Sequence, residues 1–254
     1  MRAETEAAIH AATAARQIAD SRQGADRISS KGGRDIVTAA DVACEDVIRS
    51  ELLSRFPGYA VVGEERGGEP TAGAPYWLVD PICGTRVFAS GLPLYCTNIA
   101  LVEDGQVTAA AVAIGCSDEV VYGEAGSGAW MRTTAGDRRL AVGDESHTIW
   151  IDGKSRRAAG VVRRAMELNR WYVWVFSSSV FYPHLAAGRI SGILHFRQSA
   201  GGPPLHTAAG CFLVREAGAI VSDVETGGPW TLETRSMLAA ATPALHRELA
   251  ELLE

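Results

Sequence analysis

A chain of 254 residues, 47% hydrophobic and 21% charged, can build a sizeable core in one large domain or two small ones, which excludes disorder. The formal net charge of −6 argues against a nucleic-acid partner, because phosphate backbones select lysine and arginine patches. No apolar run reaches the roughly 18 residues of a membrane-spanning helix, so no membrane partner is expected. In chain order, residues 1–20 mix charge with alanine, lack the apolar stretch of a signal peptide, and predict a helix with Ala8, Ile9, Ala12 and Ile18 on its apolar stripe. A second helix is expected over "AADVACEDVIRSELLSRF", with Val42, Val47, Ile48, Leu52 and Leu53 on one face. "GYAVVGEE" and "YWLVDPI" read as strands. In "NIALVEDGQVTAAAVAIG" the Asp104-Gly105 pair between apolar runs marks a hairpin. "EVVYGEAGSGAWMRT" continues that sheet, which is mostly antiparallel.

The second half alternates. Strands are predicted at "HTIWIDG", "WYVWVF", "ISGILHF", "AIVSD" and "SMLAAAT". Helices are predicted at "SRRAAGVVRRAMEL", at "SSVFYPHLAAG" with Ser177 to Ser179 as caps, at "PLHTAAGCFLVREAG" and at "PALHRELAELLE". This alternation predicts a second sheet covered by helices. The division is placed near residue 145, giving units 1–145 and 146–254 of one compact body. The five cysteines (44, 83, 96, 116 and 211) are odd in number and form no CxxC pair, which argues for a reducing, cytoplasmic compartment. Cys44, Cys96 and Cys211 read as small core residues.

Three acidic places stand out: Asp35 and Asp41 in "DIVTAAD", Glu64 and Glu65 in "VVGEE", and Asp80 in "VDPICGT". Carboxylates at strand ends are the ligands a hard cation such as Mg²⁺ takes. Together with "WLVDPICGT", "VFASGLP" and "LHTAAGCFLVREAGA", these segments resemble, in order, the motifs of the inositol monophosphatase family of Mg²⁺-dependent phosphatases. The resemblance covers nearly the whole chain. It implies the α+β, α/β fold of that family, layered α-β-α-β-α. It also implies that Glu64, Asp80 and the Ile82 carbonyl hold a first metal while Asp41 and Thr85 position the attacking water. Homodimers are common in the family, which makes a homodimer the default expectation.

The motif breaks at two points. Where the resemblance calls for the aspartates of a second metal, the chain has Cys83 and His206. The arginine before the substrate segment is missing, that segment reads Phe176-Ser177-Ser178-Ser179, a substrate-side carboxylate is replaced by His195, and the "SAGGPP" stretch is longer than usual. Thiol and imidazole are poor ligands for Mg²⁺. A Cys/His pair beside Asp80 instead suggests a thiolate nucleophile with a general base, lowered in pKa by the start of the late helix. The leading expectation is therefore a retooled enzyme, with Cys83, His206 and Asp80 catalytic and no cofactor required. It would act on a small-molecule or carrier-protein-bound thioester by acyl transfer or Dieckmann-type cyclisation in natural-product biosynthesis. The alternatives are a divergent Mg²⁺-dependent phosphatase of a small phosphorylated metabolite, a softer metal such as Zn²⁺ at Asp80, Cys83 and His206, and a non-catalytic binding module. The aromatic-rich "WYVWVFSSSVFYPH" is either an apolar substrate groove or ordinary core. Lys31 reads as family-like, near the water-activating side.

Overall fold

The computed structural model describes residues 1–25, 28–32, 35–153, 155–196 and 203–254, without the side chains of residues 31, 32 and 35. The side chains of Lys31 and Asp35 and most of "SAGGPP" therefore lie outside the description. Helices α1 (Ala3–Arg22) and α2 (Ala39–Arg55) flank a small hairpin, β1 (Ile28–Gly32) and β2 (Asp35–Thr38). Seven strands follow: β3 (Ala60–Gly63), β4 (Tyr76–Cys83), β5 (Cys96–Glu103), β6 (Gln106–Ile114), β7 (Val120–Glu124), β8 (Ala129–Thr133) and β9 (Gly136–Arg139), with short α3 (Thr85–Ala89) after β4. They form one sheet in sequence order, antiparallel throughout except for the parallel β3–β4 pair.

The second sheet holds β10 (Thr148–Asp152), β11 (Tyr172–Phe176), β12 (Gly192–Phe196), β13 (Ile220–Asp223) and β14 (Ser236–Ala240), ordered β11-β10-β12-β14-β13. Its helices are α4 (Arg156–Leu168), α5 (Phe181–Ala186), α6 (Ala208–Glu216) and α7 (Pro243–Glu251). Three apolar clusters define the layers. One joins α1 and α2 to the first sheet, one joins both sheets through α5 and α6, and one joins the second sheet to α4 and α7. This is the α-β-α-β-α order expected from sequence.

Local chemistry explains the close layering. Ala7, Ala8, Ala11, Ala12, Ala15 and Ala19 of α1 are fully buried, and such small side chains let α1 lie near both α2 and β6. Strand β6 is buried on both faces. Ala109, Ala111 and Ala113 face the outer helices while Ala110, Val112 and Ile114 face the central layer. The β5–β6 hairpin turns at Asp104 (φ 49°) and Gly105 (φ 72°), two left-handed residues whose twist matches the flanking strands. Helix α4 is capped by Ser155, whose Oγ accepts from the Ala158 N–H at 3.0 Å, and α7 by Thr242 before Pro243.

Three expectations need correcting. The serines do not cap α5: its N-cap is Val180, without a side-chain bond, because Ser178 and Ser179 are engaged elsewhere. Helix α6 begins at Ala208, so His206 sits in the turn leading to it, where the Thr207 and Ala208 N–H groups donate to the Pro204 carbonyl at 3.1 and 2.9 Å. The β11 aromatics are not plain core, since β11 is the sheet edge and Trp174 and Phe176 are 46% and 38% exposed. Among the described residues no helix is long and apolar enough to cross a membrane.

One partly buried histidine gives the fold a pH dependence. Burial first, and then the charge of Arg189, push the His184 pKa in α5 down from 6.5 to about 4, against a weaker opposite pull from Glu119. The neutral ring is favoured in the folded state, so its contribution is fully present above pH 6.5 and is lost as pH falls toward 4. The fall from 6.5 to about 4 corresponds to at most about 3.4 kcal/mol, reduced by the partial exposure of the ring. Urea unfolding should show stability dropping over this range, with a shallower drop in His184→Gln. Equal slopes in the two proteins would remove His184 as the cause.

Candidate active site

Every acidic segment named above with a described side chain converges at the end of β4. The β4–β5 ladder runs in register to Asp80, opposite Asn98, and is interrupted before Cys83 pairs with Cys96. Pro81, which has no N–H to give the ladder, occupies the interruption, and its carbonyl accepts from Thr97 Oγ1 at 2.8 Å. Gly84 then takes φ 99°, and a Cβ there would lie within 2.8–3.0 Å of Ser178 Oγ and Cβ and of the Leu94 carbonyl. Only glycine permits this turn. It aims Asp80, the Ile82 carbonyl, Cys83 and Thr85 into one space.

The water-side pair is assembled by a helix start. Asp41 closes a capping box on α2, accepting from the Thr38 N–H at 2.8 Å and from Thr38 Oγ1 at 2.6 Å. Its other oxygen, Oδ1, is 3.2 Å from Thr85 Oγ1, which also lies 3.1 Å from the Ile82 carbonyl. Burial raises the Asp41 pKa, with Asp80 adding to it, and the bonds from Thr38 and Thr85 only partly offset this.

The turn carrying Glu64 is held by a residue not singled out from sequence. Glu45 of α2 is fully buried, pairs with Arg49 Nε at 2.8 Å, and accepts from the Glu65 and Arg66 N–H groups at 2.6 and 3.1 Å. A Cβ on Gly63 would sit 2.1 Å from Glu45 Oε1, so the glycine is what admits this carboxylate. The available signal was a Glu four residues after Asp41, on the same helix face.

Asp80, Cys83 and His206 form the centre, each offering one ligand-type atom within 4.8 Å of the others. His206 Nδ1 is 2.5 Å from Asp80 Oδ2, 3.9 Å from Glu64 Oε2 and 4.0 Å from Cys83 Sγ. Asp80 is fully buried and its Oδ1 has no hydrogen-bond partner. Burial would raise the Asp80 pKa, but the charge and hydrogen bond of His206 override it and hold the carboxylate low. The same contact holds His206 high, against the lowering effect of desolvation.

The Cys83 thiol accepts from the Ser179 N–H at 3.2 Å, while Ser178 Oγ donates to the Cys83 carbonyl at 3.1 Å. It is therefore Ser178 and Ser179 that reach Cys83; no such bond comes from Ser177. His195 joins a second polar group, with Tyr182 Oη 2.8 Å from its Nδ1 and Asp152 Oδ2 3.4 Å from its Nε2.

The layered helices and sheets, with Asp80, Cys83 and His206 gathered where β4 breaks its ladder, are the arrangement of an enzyme family rather than of an isolated binding module. The family model described as the inositol monophosphatase family matches residues 1–254, and this chain belongs to that family of enzymes. It is 34% identical over 224 residues to an inositol-1-monophosphatase of Mesorhizobium japonicum, covering 84% of this chain and 81% of that protein. It is 32% identical over 240 residues to the inositol-1-monophosphatase ImpA of Mycolicibacterium smegmatis, covering 91% and 84%. Among solved structures, the Thermotoga maritima IMPase superposes with a TM-score of 0.85 at 24% identity, over 96% of this chain and 94% of that one. The extragenic suppressor protein suhB of Bartonella henselae gives 0.87 at 24% identity, over 100% and 99%.

These relatives overturn the thiolate-enzyme expectation, and with it Dieckmann-type cyclisation, a natural-product setting and a reaction without a cofactor. The site geometry agrees. One imidazole nitrogen, Nδ1, faces both the carboxylate and the thiol, whereas a relay needs the two partners on opposite nitrogens. The neighbouring Cys96 thiol, burial and the Asp80 charge push the Cys83 pKa well up, opposite to the lowering expected from the late helix.

Proposed function

We propose that the chain is a divalent-cation-dependent phosphatase that releases inorganic phosphate from a small phosphate monoester. The observation that carries this reading is the unpartnered, fully buried Asp80 Oδ1, with Glu64 and the Ile82 carbonyl as the further oxygen donors that the family resemblance names. Buried carboxylate oxygens are rarely left unpaired, and a hard cation satisfies one. The donor set is all oxygen, so these residues fit Mg²⁺ at the first position.

A cation held there supplies Lewis-acid polarisation of the phosphoryl oxygen and acidifies bound water. The chain's own residues do the rest. Thr85 Oγ1, tied to Asp41 and the Ile82 carbonyl, orients the attacking water. Asp41, whose pKa burial raises from its ordinary value, is a better proton acceptor for it. Water adds to phosphorus, the ester P–O bond breaks, and the products are inorganic phosphate and an alcohol.

The second position fits Mg²⁺ poorly, because two of its three donors are sulfur and nitrogen. Phosphate release from a panel of small monoesters should require Mg²⁺ and stop with EDTA. EDTA-resistant release, or none from any ester at saturating Mg²⁺, would overturn the reading.

A further inference from the structure

The mismatch at the second position has a chemical answer in its own donor set. Asp80 offers oxygen, Cys83 sulfur and His206 nitrogen, from the end of β4 and the turn before α6. Borderline metals such as Zn²⁺ take this O, S, N combination in tetrahedral sites with bonds of about 2.0–2.3 Å. Such bonds put neighbouring ligand atoms about 3.3–3.6 Å apart. The 4.0 Å between Cys83 Sγ and His206 Nδ1 needs only a small contraction. The 2.5 Å between His206 Nδ1 and Asp80 Oδ2 must open by roughly 0.8 Å to reach that spacing. The imidazole has room to do so, since its side chain is 46% exposed and sits ahead of α6.

One further observation points to a ligand. The Ser179 N–H donates to Cys83 Sγ at 3.2 Å, the kind of outer contact that orients a thiolate ligand on a metal. Three protein donors with the exposed side of His206 open to solvent leave a fourth position free, as in catalytic zinc sites.

We infer that Asp80, Cys83 and His206 form a site for one borderline transition metal, Zn²⁺ in the first instance, next to the hard-cation position and sharing Asp80 with it. Binding replaces the thiol proton and the imidazole Nδ1 proton, both of which pass to solvent. The role of this metal beside the substrate rests on the phosphatase reading; the binding itself does not.

Cobalt titration of the metal-stripped full chain, followed by absorption spectroscopy, tests the site. One equivalent of Co²⁺ should give a thiolate-to-cobalt charge-transfer band with tetrahedral d–d bands. Zn²⁺ should displace it and excess Mg²⁺ should not. Cys83→Ser and His206→Gln should each weaken Co²⁺ binding by at least about 100-fold, while Cys116→Ser, at the one exposed cysteine, leaves the band unchanged. Circular dichroism confirms that each variant is folded. A band that survives in Cys83→Ser, or its absence from the folded wild-type chain, overturns the site. Phosphate release with Mg²⁺ but no cobalt band overturns the site alone. A cobalt band without phosphate release from any monoester upholds the site and overturns the phosphatase reading.

Discussion

Asp80→Asn is expected to lower Mg²⁺-dependent phosphate release by about 10²–10³-fold or more while leaving the circular dichroism spectrum unchanged. Asp80 is fully buried at the point where β4 breaks its ladder, and both proposed metal positions include it. The asparagine keeps the volume and one carbonyl oxygen, so packing against β5 survives. It removes the charge that a cation needs and that holds the His206 pKa up. The substitution should therefore also bring the His206 titration down, as followed by NMR of its ring protons. Retention of more than a tenth of wild-type release would place the hard cation elsewhere.

The second large effect is a gain. The double variant Cys83→Asp/His206→Asp should raise Mg²⁺-dependent release by about tenfold or more, because an all-carboxylate second position supplies the hard ligands that two-metal catalysis uses. The same change has a stability signature. Cys83 is only 7% exposed, and a carboxylate there beside Asp80 puts like charges in a buried place. Without metal the variant should melt below the wild type. Saturating Mg²⁺ should restore more stability to it than to the wild type, since a ligand stabilises the state that binds it. Thermal scans with and without Mg²⁺ read both effects. A Mg²⁺ shift no larger than that of the wild type, with no gain in release, would show that positions 83 and 206 do not shape a metal site.

Much of the candidate site was legible before any coordinates. "DIVTAAD", "VVGEE" and "VDPICGT" carry their chemistry in short runs, and a strand running into Asp-Pro must break its ladder there. The departures at Cys83 and His206 were equally visible as residue types. Their chemistry was not. Whether a thiol beside a histidine is ionised depends on burial, on which ring nitrogen faces it, and on nearby charge. Here Cys96, the buried setting and Asp80 all hold the proton on sulfur. The outward-facing edge of β11 was illegible for a related reason: apolar alternation marks a strand but does not say whether another strand covers its edge.

The sequence by itself determined the elements, because apolar periodicity and turn residues are local properties that accumulate along the chain, and its ordered motifs carried the resemblance that implied the layered fold. The same resemblance implied that positions as distant as 41, 64, 80 and 206 meet. Only the tertiary structure decided what they do when they meet. The Asp80–His206 contact at 2.5 Å, the unpartnered Asp80 Oδ1 and the buried Glu45 behind the Glu64 turn arise between elements far apart in sequence. Protonation and metal preference follow from desolvation and from distances of a few ångströms, and those exist only once the chain is packed.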